Sequence, residues 1–514
     1  MRTTLSCSLF GVLTALSVYA CNPSDDPANT AGSAGTSGTA GTGGTGGTGG
    51  SSSSPIDPTP DELAAHELCP TPSGTGTEHS GTITEDETWT AAGSPHRVTF
   101  NLTILANVTI EPCAVVIVSP GMIIDVGSNT DVGKLIAHGS AQLVNGAREV
   151  KPVVFDAEDP ATPWTQLAVR PKGTIDLSIA ALLNGGAETT GEQGALLVNG
   201  VAGGTVDDVV TKSALIDRVL IQKSATYGIN LEAWGTFADG SKDLWIRNSG
   251  SEKYPFPIRL EAGIASTLPQ GLTATGNVKD EILISSSKTF MHDDTFVNRG
   301  LPYHQRGTLY VAGSQDGPDV TLTIEPGVTL GFETEVSSGM YIGSSDSRRG
   351  VLVAEGTQDA PVVFTSALDT KSAGDWMGLY FHAIPSSGNH ITNARIEYAG
   401  AENGSSGFGC GPGDNDGAVF VHGWGPEEKA PDSAFIDHTT FDNIAGSTVI
   451  VSAWIDDSGP SFFETNTFGA NTPDCKVSKP RRTGAGDVCD GDRTTCWNLL
   501  TNSLDARARA SRLV

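Results

Sequence analysis

The stretch Val320-Thr-Leu-Thr-Ile-Glu-Pro-Gly-Val-Thr-Leu-Gly-Phe332 decides the fold of this chain. On both sides of Glu325-Pro326-Gly327, apolar residues alternate with polar or small ones. A period of two predicts a strand with one buried face. Proline presets φ for the second position of a turn, and glycine accepts a positive φ at the third. The stretch therefore predicts two strands joined by a sharp turn, with the apolar side chains facing inward in both.

The composition favours many turns and few bulky core residues. The chain has 514 residues, with Gly 63 against Phe 17 and Trp 8, so it holds either several ordinary domains or one long repetitive one. Lys+Arg 31 minus Asp+Glu 59 gives a net charge of −28. So acidic a surface repels phosphate backbones, which predicts no nucleic-acid partner. The excess of acidic side chains keeps the protein soluble, or some of these side chains form a site for a divalent cation.

The body of the chain contains an internal duplication. Collinear matches separated by 207 to 223 residues run through it, and the drift in separation reflects loop insertions. The matches pair Trp89 with Phe296, Val108 with Leu322, Phe155 with Phe364, Trp164 with Trp376, Val198 with Val421, Ile216 with Ile436, and Trp234 with Trp454. Within each copy, strand-like runs recur about every ten residues and turn residues separate them, which favours a sandwich, a barrel or a solenoid.

Five segments of the second copy resemble a known repeat. They are Leu322-Thr-Ile-Glu-Pro-Gly, Leu352-Val-Ala-Glu-Gly-Thr, Pro361-Val-Val-Phe-Thr-Ser, Asp375-Trp-Met-Gly-Leu-Tyr-Phe381 and Ala394-Arg-Ile-Glu-Tyr-Ala-Gly400. Their succession resembles the right-handed parallel β-helix repeats of bacterial surface proteins, which share the pectin-lyase-like fold. The resemblance covers about residues 80–475 and is strongest over 290–475. It implies three short strands per coil, stacked about 4.8 Å apart, with inward apolar ladders.

We therefore expect an all-β chain that forms a right-handed parallel β-helix, a solenoid built from two related halves with short helical caps. A pair of all-β sandwiches is the alternative. The halves are predicted at 80–286 and 287–475, and no linker separates them. Thr59-Pro60-Asp61-Glu62 has the form of a capping box, so residues 59–79 are predicted to cover the exposed end of the first coil. Residues 476–514 are predicted to form a disulfide loop and a C-terminal cap or tail.

The N-terminus predicts export and a lipid anchor. Residues 1–20 combine Arg2 with a short apolar run typical of a signal peptide. The sequence Val18-Tyr-Ala-Cys21 resembles the lipobox of bacterial lipoproteins, which implies acylation of Cys21 and a membrane contact through that anchor. Residues 21–58, rich in Gly, Ser and Thr, are predicted to be a disordered tether. Asn22 is compatible with outer-membrane delivery, at the cell surface or the periplasmic face, and we expect a monomer.

Six further cysteines predict disulfides. An even number in an exported chain is typical of a disulfide framework. Pairing between nearest neighbours gives three bonds, although fifteen pairings are open. These bonds would be Cys69–Cys113, Cys410–Cys475 and Cys489–Cys496.

Catalytic residues are sparse for a pectin-lyase-like fold. Phe435-Ile-Asp-His438 resembles the Trp-Ile-Asp-His signature of pectate lyases, which would make Asp437 and His438 the candidate catalytic pair. The first copy has Leu215-Ile-Asp-Arg218 at the same place, which favours a coil turn with Asp437 capping backbone NH groups and His438 outward. The combination of paired aspartates with a Gly-His-Gly pattern, which is expected of related hydrolases, is missing from the sequence.

Acidic and aromatic residues provide further candidates. Asp414 and Asp416 lie in a glycine-rich loop where they could bind Ca²⁺, although a solvated loop is the alternative and the spacing is not that of an EF-hand. Otherwise no cofactor is predicted. Four tryptophans are candidates for stacking on sugars, but their paired occurrence favours a structural role. They are Trp164, Trp234, Trp376 and Trp454.

These observations favour a surface-anchored lipoprotein whose β-helix binds an extracellular glycan or an envelope partner without catalysis. The alternative is a polysaccharide lyase or hydrolase that uses the surface near Asp437. A purely structural envelope role is third. A fold alone does not specify an activity, so the choice depends on the site.

Overall fold

The computed structural model describes much of the chain from residue 56 onward. The described ranges are 56–65, 69–72, 74–188, 193–201, 211–285, 290, 292–313, 318–334, 338–344, 348–382, 386–402, 416–422, 430–454, 459–478 and 496. Residues 1–20, Cys21, Cys410, Asp414 and Cys489 lie outside these ranges, and so do nearly all of the predicted tether and C-terminal tail. In the described ranges, no helix is long and apolar enough to cross a membrane.

Short strands make up most of the described structure. The first half contains α1 Pro60–Ala65, β1 Thr77–Ile83, β2 Glu87–Trp89, the 3₁₀ turn η1 Ala91–Gly93, β3 His96–Ile104, β4 Asn107–Ile110, β5 Val115–Val118, β6 Ile123–Val126, β7 Gly133–His138, β8 Ser140–Val144, β9 Ala147–Lys151, β10 Val153–Ala157, β11 Gln166–Val169, β12 Gly173–Leu183, β13 Leu196–Asn199, β14 Thr211–Gln222, β15 Ile229–Glu232, β16 Gly235–Phe237, β17 Lys242–Arg247, β18 Ile258–Leu260, the 3₁₀ turn η2 Ala265–Thr267, β19 Thr273–Thr275 and β20 Ile282–Ile284. The second half contains β21 Asp294–Phe296, β22 Tyr303–Gln305, β23 Thr308–Val311, β24 Val320–Ile324, β25 Thr329–Phe332, β26 Gly339–Ile342, β27 Gly350–Glu355, β28 Val362–Ser366, β29 Leu379–Phe381, β30 His390–Thr392, β31 Ala394–Glu397, β32 Val419–Val421, β33 Ile436–Asp437, β34 Thr440–Asp442, β35 Thr448–Ser452, β36 Thr467–Phe468 and β37 Cys475–Val477.

In the second half, successive coils add strands to three parallel sheets. The leading sheet contains β21, β24, β27, β30 and β33; the central sheet contains β22, β25, β28, β31, β34 and β36; the trailing sheet contains β23, β26, β29, β32, β35 and β37. The chain passes from leading to central to trailing strand and then begins the next coil. The fold is a parallel β-helix, as predicted.

The predicted turn between β24 and β25 is confirmed. The N–H of Val328 donates to the carbonyl of Glu325 at 3.2 Å, and Gly327 has a φ of 81°. A residue with a Cβ is disfavoured at that φ, which explains the glycine. The turn directs the chain from one sheet to the next while the alternating apolar side chains stay inside.

The backbone repeats the duplication seen in the sequence. In the first half, β12 and β14 each turn a corner at a residue in the left-handed region, Ile179 (φ 50°) and Arg218 (φ 57°). In the second half, Asn393 (φ 47°) and His438 (φ 44°) occupy the matching corners, at offsets of 214 (393 − 179) and 220 (438 − 218). Equivalent corners therefore use the same uncommon conformation.

A single ladder of inward side chains spans both halves. Strand register stacks each member on the next, and every member except Phe468 is buried. The ladder consists of Leu102, Ile124, Leu167, Leu196, Ile229, Ile258, Ile282, Tyr303, Leu330, Phe364, Ile396, Phe441 and Phe468. Burial of such a ladder supplies the hydrophobic free energy that short strands lack individually.

The three faces of the coil stack do not continue into their sequence equivalents where the two halves meet. The stack that contains β13, β15, β18 and β20 continues directly into β22, β25 and β28. By sequence, however, Phe364 of β28 corresponds to Phe155 of β10, and Val198 of β13 corresponds to Val421 of β32 in the trailing sheet. Each face of the second half therefore continues a neighbouring face of the first half, as if the second half were turned about the long axis of the coil stack by one face.

Helix α1 lies on the side of the coil stack. The predicted capping box is present, since the Glu62 N–H donates to the Thr59 hydroxyl and the Thr59 N–H donates to Glu62 Oε2 at 2.7 Å. Helix α1 contacts β9, β12 and β14, and Leu63 is buried in one apolar cluster with Val154, Ala181 and other side chains of these strands and of β10. This position differs from the predicted one, which is over the exposed end of the first coil. The difference arises because the outer face of these strands carries apolar residues that Leu63 covers.

Two disulfides are described. Cys69–Cys113 is confirmed and ties the segment after α1 to the turn between β4 and β5. Cys475 bonds to Cys496, with Cα atoms 5.5 Å apart, so the predicted bonds Cys410–Cys475 and Cys489–Cys496 are wrong. Nearest-neighbour pairing failed because the fold places Cys496 in an antiparallel bridge with Ser478, three residues after Cys475.

A histidine pair lies among the first coils. The ring nitrogens His79 Nε2 and His96 Nδ1 are 3.0 Å apart, and the His79 ring stacks on Trp89 at 4.1 Å. Trp89 Nε1 donates to Glu87 Oε2 at 2.9 Å. Burial first, and then the neighbouring His96, lower the pKa of His79 to about 4. Burial also lowers the pKa of His96.

This pair predicts a loss of stability in acid. The pKa of His79 is lower in the folded chain than its ordinary 6.5. Its contribution to the free energy of unfolding is therefore fully present above pH 6.5 and is lost as the pH falls toward 4. The shift corresponds to at most about 3 kcal/mol. Urea denaturation at pH 7 and pH 4.5 should show a smaller pH effect for His79→Gln than for the unchanged chain. Identical pH effects in the two chains would contradict the prediction.

Candidate functional site

Three of the four candidate tryptophans are unavailable to a ligand. Trp164, Trp376 and Trp454 are fully buried, whereas Trp234 is partly buried against the core. Trp164 Nε1 donates to the carbonyl of Leu183, and Trp376 Nε1 donates to the carbonyl of Glu397, each at 2.8 Å. The equivalent tryptophans thus hold equivalent corners of the two halves, so their role is structural.

Asp437 and His438 lie at a coil corner. His438 is the left-handed corner residue, and its Nδ1 donates to Asp437 Oδ1 at 3.0 Å. The matching pair in the first half has the same arrangement, since Arg218 Nε donates to Asp217 Oδ1 at 2.9 Å. Asp437 therefore accepts from side chains, whereas the sequence analysis expected it to cap backbone NH groups. His438 is exposed, as expected.

Other polar groups surround this corner on the outer face of the leading sheet. The Thr392 hydroxyl donates to Asp437, and His390 Nε2 is 3.8 Å from Asp437 Oδ2. His390 Nδ1 is 2.6 Å from Glu355 Oε1. Burial raises the pKa of Asp437, but hydrogen bonds with Thr392 and His438 outweigh it, so the pKa is lowered. Asp437 is therefore an ionised carboxylate at neutral pH.

The described residues provide no ready metal centre. Nowhere among them do three or more His, Cys, Asp or Glu side chains lie close enough together to hold a metal ion. Asp416 is buried, with 8 % of its surface exposed, and its predicted partner Asp414 lies outside the described ranges. The Ca²⁺ site therefore stays a prediction.

The trailing sheet carries a row of aromatic side chains on its outer face. Strand register stacks Tyr310 on Tyr341, Tyr341 on Tyr380, and Tyr380 on Phe420. The ring centroids of these three pairs are 5.4, 5.1 and 5.4 Å apart. Flanking residues on each strand, such as Leu309 and Met340, point into the core. We call these four residues the aromatic row.

The aromatic row is open at one end. Tyr310 is 36 % exposed and Tyr341 is partly buried, whereas Tyr380 and Phe420 are 1 % and 3 % exposed. Next to the row, the His382 ring lies 5.4 Å from the Tyr341 ring. The accessible part of the row therefore consists of two tyrosines on consecutive coils, with an imidazole beside them.

The aromatic row is not among the sites predicted from the sequence, although a signal for it is present there. Four strands contain an aromatic residue between two inward apolar residues. They read Leu309-Tyr-Val311, Met340-Tyr-Ile342, Leu379-Tyr-Phe381 and Val419-Phe-Val421. Once a period-two strand is assumed, the middle residue must point outward, and the coil repeat places these residues in one line.

Comparison with known families supports the assignment of the fold. Residues 289–420 match the pectate-lyase-like β-helix domain. Neither the curated proteins nor the solved structures contain a match to the chain. The pectate-lyase-like region spans all four members of the aromatic row, together with Glu355 and His390, but ends before Asp437 and His438. The match supports the fold and leaves the activity open.

Proposed function

We propose that this protein is a surface lipoprotein whose β-helix binds an extracellular glycan through the accessible tyrosines of the aromatic row. The anchor is proposed at Cys21, in the outer membrane, on the basis of the signal-like residues 1–20 and the lipobox-like Val18–Cys21. The Gly/Ser/Thr-rich residues that follow provide a tether between the membrane and the body.

The observation that carries the binding function is the pair of tyrosines on consecutive coils. Tyr310 and Tyr341 combine an apolar ring with a hydroxyl, a combination enriched where proteins contact partners. They lie on rigid strands, so little conformational entropy is lost on binding. A second protein of the envelope is the other partner that such a face suits, and a purely structural role would leave the face without a soluble ligand.

Affinity electrophoresis tests this function. The lipid-free chain of residues 22–514 should migrate more slowly through gels that contain the bound polysaccharide, and polysaccharide staining behind it should be undiminished. A cleared track would mean catalysis and would contradict the proposal. A chain that no polysaccharide retards would favour a protein partner or a structural role.

A polysaccharide lyase or hydrolase is the second candidate, because His390 lies between Glu355 and Asp437 on the leading sheet. The proposed function predicts that the double variant Asp437→Ala/His438→Ala migrates like the unchanged chain in every gel, since the corner only holds the coil. Conversely, catalysis at this corner would be established if the unchanged chain clears the polysaccharide and the double variant does not. Arg218→Ala at the matching corner is the control for loss of a corner side chain.

A further inference from the structure

The two accessible tyrosines present their edges to solvent. Their rings are nearly parallel, with an interplanar angle of 19°, and their centroids are 5.4 Å apart. Side chains stand roughly perpendicular to a sheet, so two rings that stack from one strand to the next turn their faces toward each other. The hydroxyls at the ring ends therefore point away from the sheet, one per coil, at a spacing close to the distance between strands.

The electrostatic surroundings favour an uncharged ligand. Burial first, and then the neighbouring Tyr310, raise the pKa of Tyr341 to about 12, and no described cation acts in the opposite direction. The Tyr341 hydroxyl thus keeps its proton and can donate a hydrogen bond at neutral pH. Arg349, just before the next coil, is bound to Asp319 at 2.8 Å. With a net charge of −28, the protein as a whole repels an anionic polymer.

We propose that the glycan bound by the trailing sheet is a neutral polysaccharide, held by hydrogen bonds to the Tyr310 and Tyr341 hydroxyls and by contact with the ring edges. The inference rests on the proposed glycan-binding function and narrows it to one substrate class. Sugar hydroxyls both donate and accept, as phenolic hydroxyls do, so neither partner needs a charge. Uronic acid polymers are excluded as ligands of this face.

The size of the face sets the strength of binding. Tyr380 and Phe420 are too deeply buried to extend the contact, so the ligand meets two coils. A contact of this size gives weak binding for one molecule in solution. Many anchored copies facing one repetitive polymer would strengthen it through multivalency, because later contacts are effectively intramolecular.

The test compares neutral with acidic polysaccharides. The chain of residues 22–514 is run through gels containing hydroxyethylcellulose, dextran or laminarin, and through gels containing polygalacturonate or alginate, each with and without Ca²⁺. We expect retardation in at least one neutral gel, unaffected by added NaCl, and none in the acidic gels. The variant Tyr310→Phe/Tyr341→Phe removes only the two hydroxyls, so it should fold normally and bind about tenfold more weakly, as expected for two hydrogen bonds.

Phe100→Ala is the matched control. Phe100 is an aromatic residue of β3 that is 68 % exposed, and its loss should leave retardation unchanged. Retardation in acidic gels alone, with or without Ca²⁺, would overturn the proposal that the ligand is a neutral polysaccharide. The glycan-binding function itself would still stand. Retardation in a neutral gel that the double Phe variant does not reduce would overturn the site. Absence of retardation in every gel would overturn the glycan-binding function itself.

Discussion

Trp376→Ala should lower the free energy of unfolding by about 4 kcal/mol, within the range for truncating a large buried aromatic side chain. Trp376 is fully buried and stacks on Phe332 with ring centroids 4.3 Å apart and an interplanar angle of 6°. Its removal leaves a cavity and deprives the Glu397 carbonyl of its donor. Urea denaturation followed by both fluorescence and circular dichroism measures the loss.

The first half provides the matched comparison for this prediction. Trp164→Ala should cost a similar amount, because Trp164 is equally buried and donates to the Leu183 carbonyl in the same way. Trp376→Phe keeps most of the volume and should cost about 2 kcal/mol through the lost hydrogen bond and the smaller ring. A loss below about 1 kcal/mol for Trp376→Ala would mean that the corner repacks freely.

His304→Gln should destabilise the junction between the halves by about 3 kcal/mol near pH 6, the cost of leaving one side of a buried ion pair uncompensated. His304 is 3 % exposed and lies between two carboxylates from neighbouring coils. Its Nδ1 is 2.7 Å from Glu281 Oε2, and its Nε2 is 2.8 Å from Glu333 Oε1. Both ring nitrogens donate only in the imidazolium, so the ring is charged in this arrangement.

The His304 arrangement also predicts a pH dependence of opposite sign to that of His79. Burial lowers the pKa of His304, but hydrogen bonds with Glu281 and Glu333 outweigh it, so the pKa is raised above 6.5. The stabilisation is therefore complete below pH 6.5 and is lost as pH rises through the folded-state pKa. The urea midpoint should fall between pH 6 and pH 9 in the unchanged chain and stay nearly constant in His304→Gln. Parallel pH profiles in the two chains would contradict a charged His304 held between Glu281 and Glu333. The control is Arg306→Gln, which removes a neighbouring Glu333 contact.

Much of the fold follows from local patterns in the sequence. The alternation in Val320–Phe332 predicts which side chains enter the core, because a strand places successive residues on opposite faces. The Pro-Gly turn is equally local, and so is the capping box at Thr59 and Glu62. The recurrence of Trp164 as Trp376 identified both as structural, since the two copies need the same packing.

Features that depend on how distant segments meet could not be predicted in this way. Leu63 finds an apolar outer face on β12 and β14, which alternation alone does not identify as a docking surface. The bond between Cys475 and Cys496 accompanies a bridge between Ser478 and Cys496, and the spacing of cysteines in the sequence does not reveal that contact. The aromatic row leaves a signal within each strand, but aligning Tyr310 with Tyr341 also requires the register between coils.

The one-face offset at the junction has a consequence for valency. Equivalent corners, such as those at Arg218 and His438, do not lie above one another along the same side of the coil stack. A partner with two identical arms in line cannot meet both copies of a duplicated surface at once. Sequence-equivalent surfaces of the two halves therefore face different sides of the coil stack, so no one side of it presents both copies of a duplicated surface.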